Sequence, residues 1–260
     1  MRPLLLLATA ALHAGCSFVG REAYPVVYRQ ACADASCLDE FVYTDGAKWR
    51  MHAGEHAPAL ELTGRSDYRP PHRSPLSIAL IERVEVADFD LDVDLLQTGR
   101  NYGHRDLCLF FGLQSKSRFY YTHLATSPDQ NAHNVFVVND APRANLTAPR
   151  EQGIDWGRDV WHHVHVERRV AEGTVKVYWD HGAEPVLVAE DRSFDWGRVG
   201  FGSFDDSGLV RNIVLRAPRY RFAEGDPFRD GNLSAPTLAR DPLPAPKATP
   251  RGARSRGSAG

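Results

Sequence analysis

Between residues 60 and 217 apolar and polar residues alternate with a period of two. Successive side chains of a strand point to opposite faces, so this alternation marks strands with one buried face. The runs that carry it are "LELTG", "LSIALIE", "FDLDVDLLQ", "LCLFFGLQ", "FYYTHLA", "VFVVND", "HHVHVERRV", "TVKVYWD", "VLVAE", "GRVGFGSF" and "RNIVLRA". Gly, Pro, Asn or Asp bound each run, as turns require. "AEGT", between "VHVERRV" and "VKVYWD", reads as a hairpin connection. No stretch sustains the helical period. So many strands on short turns predict an all-β fold, a two-sheet antiparallel β-sandwich or jelly roll.

The two ends break the pattern. "MRPLLLLATAALHAGC" sets one Arg before an apolar stretch over residues 4–12. That is the layout of a secretory signal, too short to span a membrane. "AGC" ends it like a bacterial lipobox, although His13 stands where Leu is usual. The expectation is a signal peptide over 1–15 and lipid on Cys16, with cleavage after Ala14 as the alternative. The chain is then exported, to the periplasm or the cell surface, and touches membrane only through that anchor. Residues 16–40 read as a linker, in which Cys32 and Cys37 can close a small disulfide loop in an oxidising space. The folded domain is expected over 41–218. The Pro-, Gly- and Arg-rich stretch 219–260 reads as a disordered tail.

Charge narrows the partners. The formal net charge of −2 hides a split. From Arg219 onward eight basic residues face four acidic ones, giving +4, so residues 1–218 carry −6. An acidic body lacks the basic stripe of a nucleic-acid surface.

Polar side chains crowd one set of strands. His104, Arg105 and Asp106 precede "LCLFF", Tyr121 and His123 share a face of "FYYTHLA", and His133, Asn134, Asn139, Asp140 and Arg143 flank "VFVV". Buried strands do not need such groups, which makes this the candidate site. The alternative for His104, Arg105 and Asp106 is a satisfied cluster that closes a loop. Asp90, Asp92 and Asp94 share one strand face, but at ~3.3 Å per residue Asp90 and Asp94 lie roughly 13 Å apart. A retaining glycosidase pair needs about 5–5.5 Å, so a catalytic triplet is rejected. His163, His165 and Glu167 read as a solvated face rather than a metal site. Asp205 and Asp206, adjacent in a loop, could bind calcium or cap a turn. Cys108, inside "LCLFF", reads as a buried thiol.

"FVYTDGAKWRM", "SDYRPPHRSPLSIALI", "FDLDVDLLQTGRNYGHRDLCLFFG", "AHNVFVVNDAPR" and "VGFGSFDDSGLVRNI" together resemble the 3-keto-disaccharide hydrolase domain family. The resemblance covers residues 41–218 and implies a concanavalin A-like jelly roll with a concave face suited to a sugar. It also implies, for some members, cleavage of oxidised glycosides. A 3-keto sugar has an acidified C2 proton, so a base near neutral pKa and an electrophile at the ketone would suffice. His104, Asp106, His123 and His133 are the candidate catalytic groups. Arg105, Tyr121, Asn134, Asn139, Asp140 and Arg143 are the candidate substrate-binding groups, with a divalent cation such as calcium as a candidate cofactor. Two other readings remain open: a non-catalytic, lectin-like surface lipoprotein and a structural envelope protein.

Overall fold

The computed structural model describes residues 23–229, so the signal, Cys16 and the chain beyond 229 lie outside the described residues. In chain order the strands are β1 (Val26–Gln30), β2 (Phe41–Tyr43), β3 (Trp49–Met51), β4 (Leu60–Leu62) and β5 (Ser77–Val86). Next come β6 (Phe89–Gln97), β7 (Asp106–Ser115), β8 (Arg118–Ala125), β9 (Asn134–Asn139) and β10 (Ala144–Asn145). The last are β11 (His162–Arg169), β12 (Thr174–Trp179), β13 (Leu187–Glu190), β14 (Gly197–Ser203), β15 (Gly208–Arg216) and β16 (Tyr220–Phe222).

They form two antiparallel sheets. The first runs β13-β12-β11-β6-β15-β4-β3, with β1 also on β15. The second runs β10-β9-β8-β7-β14-β5-β16, with β2 also on β5. All-β architecture and the two-sheet sandwich are as the alternation predicts, and each of the eleven runs overlaps an observed strand. The "AEGT" connection turns through Gly173 at φ 76° and pairs Arg169 with Thr174.

The chain boundaries differ from the sequence reading. Val26–Gln30, placed in the linker, is a strand on β15, and Tyr220–Phe222, placed in the tail, is a strand on β5. Arg198 extends this closure, its Nη2 donating to the carbonyls of Glu224 and Gly225 at 3.0 and 2.6 Å. These edge strands are too short to show a periodicity. Cys32 and Cys37, the expected disulfide pair, are two buried thiols in this structure.

The inter-sheet core takes Leu107, Leu109 and Phe111 from β7, with Tyr120 and Leu124 from β8. Opposite them stand Phe89, Leu91, Val93, Val164 and Val166 from β6 and β11. At about 1.5–3 kcal/mol for each fully buried large side chain, this layer dominates stability. The outer face of the second sheet is apolar too. Phe110, Phe119, Tyr121 and Phe136 cluster there, Tyr121 stacking on Phe136 at 5.1 Å and on Phe110 at 5.9 Å. β14 contributes no side chain at Gly202, where an added Cβ would lie 2.0 Å from the Ser77 carbonyl and 3.1 Å from the Phe110 ring. That bare stretch gives Phe110 the room to lie across the sheet.

Candidate functional site

The site lies on this outer face, where β7 begins and β8 ends. Antiparallel pairing sets Cys108 against His123, so Asp106, two residues earlier on the same face, comes beside the imidazole. Asp106 is 1% and His123 5% exposed, and their oxygen and nitrogen, Oδ2 and Nε2, are 3.5 Å apart. They floor a cavity of about 620 Å³. Its walls come from loops: Arg65, Arg69 and Arg73 between β4 and β5, Tyr102 and His104 before β7, and Phe204 and Asp205 after β14. Arg143 closes one side from the segment before β10.

Asp106 is densely bonded. Its Oδ1 accepts from Ser203 Oγ at 2.6 Å and its Oδ2 from Cys108 Sγ at 2.9 Å. Burial pushes its carboxyl well above the ordinary carboxylate range, the Cys108 and Ser203 bonds opposing, and Asp206 adds to the rise. Burial likewise raises Asp206, whose Oδ2 accepts from Tyr102 Oη at 2.8 Å and from the Asp106 N–H at 2.9 Å. Two neighbouring carboxyls in a dry site cannot both ionise readily. His123 Nδ1 accepts the His133 N–H at 3.4 Å, which places the ring proton on Nε2, toward Asp106. Burial, then the Arg143 charge, lowers the His123 pKa to about 3. His123 is thus a neutral imidazole at physiological pH.

Arg143 is held on three sides. It donates through Nη1 to Tyr121 Oη at 2.6 Å and through Nη2 to Asn131 Oδ1 at 3.0 Å. Its guanidinium lies 4.3 Å from the Phe136 ring centroid and 5.4 Å from that of Phe204. Cation–π contact with the two rings and a fork of donors fix the group before any ligand arrives.

The structure gathers only part of the sequence-predicted set around this cavity. His104, Asp106, His123, Arg143 and Asp205 line it, with Tyr121 behind Arg143. His104 stands at the rim with Nε2 3.1 Å from Asp129 Oδ2, both groups about half exposed. Arg105 turns the other way, donating to the Gly157 carbonyl at 2.5 Å, because alternation sends it to the opposite side from Asp106. His133 sits behind His123, buried, with φ 56° and a pKa lowered to about 4 by burial and then Arg150. Asn134 donates to the carbonyls of Asp129 and Ala132 at 2.6 and 2.9 Å, closing a loop. Asn139 and Asp140 lie at the far end of the β8–β9 pairing, which runs from His123–Asn134 to Arg118–Asn139, roughly 17 Å at ~3.3 Å per residue. There Asp140 accepts from Ser117 Oγ at 2.5 Å and Arg118 Nη1 at 3.1 Å, and the Ser117 and Arg118 bonds lower its pKa. Asp206 caps the start of β7, leaving Asp205 as the carboxylate of that loop which faces the cavity.

The sequence reading passed over Arg65, Arg69 and Arg73. Their signal is an Arg at every fourth position of "RSDYRPPHRS", a loop with no strand pattern. Tyr102 and Phe204 were missed for a similar reason, since single aromatics in loops carry no period.

The outer face of the first sheet holds the other polar concentration. Register pairs His163 with Asp94, His165 with Asp92 and Glu167 with Asp90. His163 bridges Asp92 and Asp94 at 3.2 Å each, and His165 Nδ1 meets Asp92 Oδ1 at 2.9 Å. Asp90, His165 and Glu167 bring one potential ligand atom each within 4.8 Å of one another. Asp90 already accepts from Arg169 Nη2 at 2.6 Å. The arrangement is a cross-strand ladder of ion pairs.

Similar folds are found among solved structures. The carbohydrate binding module CBM66 from Bacillus subtilis superposes with a TM-score of 0.50 at 18% identity, over 68% of this chain and 96% of that one. A protein of unknown function with galectin-like fold from Bacillus subtilis gives 0.52 at 10% identity, over 75% and 97%. The GH43 BlXynB protein from Bacillus licheniformis gives 0.50 at 10% identity, over 73% of this chain and 39% of that one. No family model matches the chain, and no curated protein matches it. At these identities the likeness establishes the fold: a concanavalin A-like, galectin-like jelly roll.

Proposed function

We propose that this chain is an exported carbohydrate-binding domain that holds its ligand in the cavity above Asp106 and His123. The cavity itself carries the reading. At about 620 Å³ it falls within the ~300–1,000 Å³ of small-molecule sites. Its wall combines Tyr68, Tyr102 and Phe204 with arginine and carboxyl groups, the mixture that a sugar's C–H patches and hydroxyls call for. A polar cluster serving only architecture would leave no such hollow. The fold shared with a carbohydrate binding module and a galectin-like protein agrees with this reading.

A second reading is favoured by one contact. Asp129 orients His104 at the rim, an acid-base pairing suited to abstracting an acidified sugar proton, as processing of a 3-keto-glycoside needs. His123 is a poor base, since its depressed pKa makes it hold a proton weakly. A calcium ion at Asp205 and Asp206 would have to compete with Tyr102 for Asp206.

Isothermal titration of the full chain with a panel of neutral and charged oligosaccharides tests the first reading. Tyr102→Ala and Phe204→Ala should weaken binding at least tenfold, and no binding to any glycan would refute it. Product release from glucosides and their 3-keto derivatives, with His104→Ala and with a chelator, tests the second. Turnover lost in folded His104→Ala supports processing; turnover lost only with chelator moves the chemistry to a metal.

A further inference from the structure

We infer that the ligand of this cavity is an anionic glycan, one whose sugar rings carry carboxylate or sulfate groups. The inference rests on the carbohydrate reading and narrows it to a substrate class. Four guanidiniums, those of Arg65, Arg69, Arg73 and Arg143, converge on one hollow of about 620 Å³. The carboxyls among the lining residues are Asp106 and Asp205, and Asp106 is almost wholly covered. This local excess is opposite in sign to the −6 of residues 1–218.

The charges are also uncommitted. Among the described residues Arg65, Arg69 and Arg73 form no ion pair, whereas Arg50, Arg118, Arg169 and Arg216 each have a carboxylate. Among the described residues Arg143 is bonded to neutral oxygens, those of Tyr121 and Asn131, and pairs with no carboxylate. Arg73 and Arg143 both lie against the Phe204 ring, at 6.0 and 5.4 Å from its centroid. A ring-backed guanidinium keeps its planar fork of donors in a fixed orientation, the geometry that carboxylate and sulfate oxygens accept bidentately. A neutral sugar would leave four like charges facing one another around it; an anion removes that repulsion. Arg65, Arg69 and Arg73 all reach the cavity from the one segment between β4 and β5, so successive charged rings of an oligomer could each meet one.

The test is titration of the full chain with trigalacturonate, its methyl ester, a neutral galactose trisaccharide, a sulfated galactose trisaccharide without carboxylates, and inorganic sulfate. Trigalacturonate or the sulfated trisaccharide should bind at least tenfold more tightly than the methyl ester or the neutral sugar at low salt. Which of the two is preferred identifies the anionic group. The advantage should shrink as salt shortens the Debye length from ~30 Å at 0.01 M to ~3 Å at 1 M. Arg69→Ala with Arg73→Ala, both exposed loop positions, should remove at least tenfold of charged-glycan affinity, and several-fold more than they remove of any neutral affinity. Arg143→Lys keeps the charge but not the fork and should lose several-fold. Equal affinity for charged and neutral sugars overturns the anionic inference and leaves the carbohydrate reading standing. Inorganic sulfate competing as well as the charged sugars overturns the carbohydrate reading, and so does the absence of any glycan binding.

Discussion

His123 receives the His133 N–H on Nδ1 at 3.4 Å and turns Nε2 toward Asp106 Oδ2, 3.5 Å away. The first contact requires an unprotonated Nδ1, so the folded protein holds this imidazole neutral. His123 and His133 both have folded pKa values below the ordinary 6.5, at about 3 and about 4. A depressed pKa contributes stability that is present above the unfolded value and is lost as pH falls through the folded one. The Tm should therefore drop steadily from pH 6.5 toward pH 3, and His123→Phe should flatten part of that slope. NMR titration showing His123 protonated at pH 6 would refute the assignment.

Asp106 works in the opposite direction. Its folded pKa is raised, first by burial, so its contribution is greatest at low pH and declines as pH rises through the folded value. Asp106→Asn keeps the shape and loses this alkaline decline. Asp106→Ala leaves Ser203 Oγ and Cys108 Sγ without their acceptor and should cost about 2–3 kcal/mol. Chemical denaturation of both variants at pH 6 and pH 9 separates the two effects. A difference between wild type and Asp106→Asn that does not grow toward pH 9 would contradict the raised pKa.

Asp92 is the hub of the ladder on the first sheet. It is bonded to His163, His165 and Arg216. Burial raises its pKa, but the His165 and Arg216 contacts outweigh that and bring it to about 2. Its stability contribution is present above about pH 4 and lost toward pH 2. His165, whose burial is likewise outweighed by Asp92, is raised above 6.5 and contributes below that value, losing its effect as pH rises. The ladder therefore counts most between about pH 4 and 6.5. Asp92→Asn should cost on the order of 1 kcal/mol, for a partly exposed network. The loss in Tm should be larger at pH 5.5 than at pH 9, and a pH-independent loss would rule out the ionic account.

Cys32 and Cys37 offer a redox test. They are buried neighbours in a turn that Cys32 enters at φ 54°. In an oxidising buffer they should lose two hydrogens to form a disulfide. The loop-entropy relation gives about 2 kcal/mol for a ring this small. Mass spectrometry after alkylation reads the bond and a melting curve reads its effect. Two alkylated thiols persisting after oxidation would exclude it.

How far the sequence reaches depends on what a period can encode. Alternation splits "DLCLFFG" into Leu107, Leu109 and Phe111 against Asp106, Cys108 and Phe110, and "FYYTHLA" into Tyr120 and Leu124 against Tyr121 and His123, and the apolar members fall in the inner and outer clusters accordingly. The register that brings Asp106 beside His123 is a property of the pairing of β7 with β8, which alternation does not encode. Alternation also sends Arg105 away from Asp106, although adjacency had suggested grouping the two. Asn139 and Asp140 were grouped with His133 by sequence proximity, yet a strand separates its own two ends by its full length. Arg65, Arg69, Arg73, Tyr102 and Phe204 come from three separate loops, and their convergence is set by strand order, which periodicity does not encode.

The bare outer face of β14 at Gly202, with Phe110, Tyr121 and Phe136 packed across the sheet beside it, separates two kinds of evolutionary freedom. The base of the cavity belongs to a close-packed apolar layer, where even one added methyl meets backbone. The walls belong to loops that contribute little to that layer. Selection can therefore redraw exposed wall positions such as Arg65, Arg69 and Arg73 without disturbing the sheet beneath them. Two chains with the same sandwich can therefore share the layer beneath the cavity and differ in everything that encloses it.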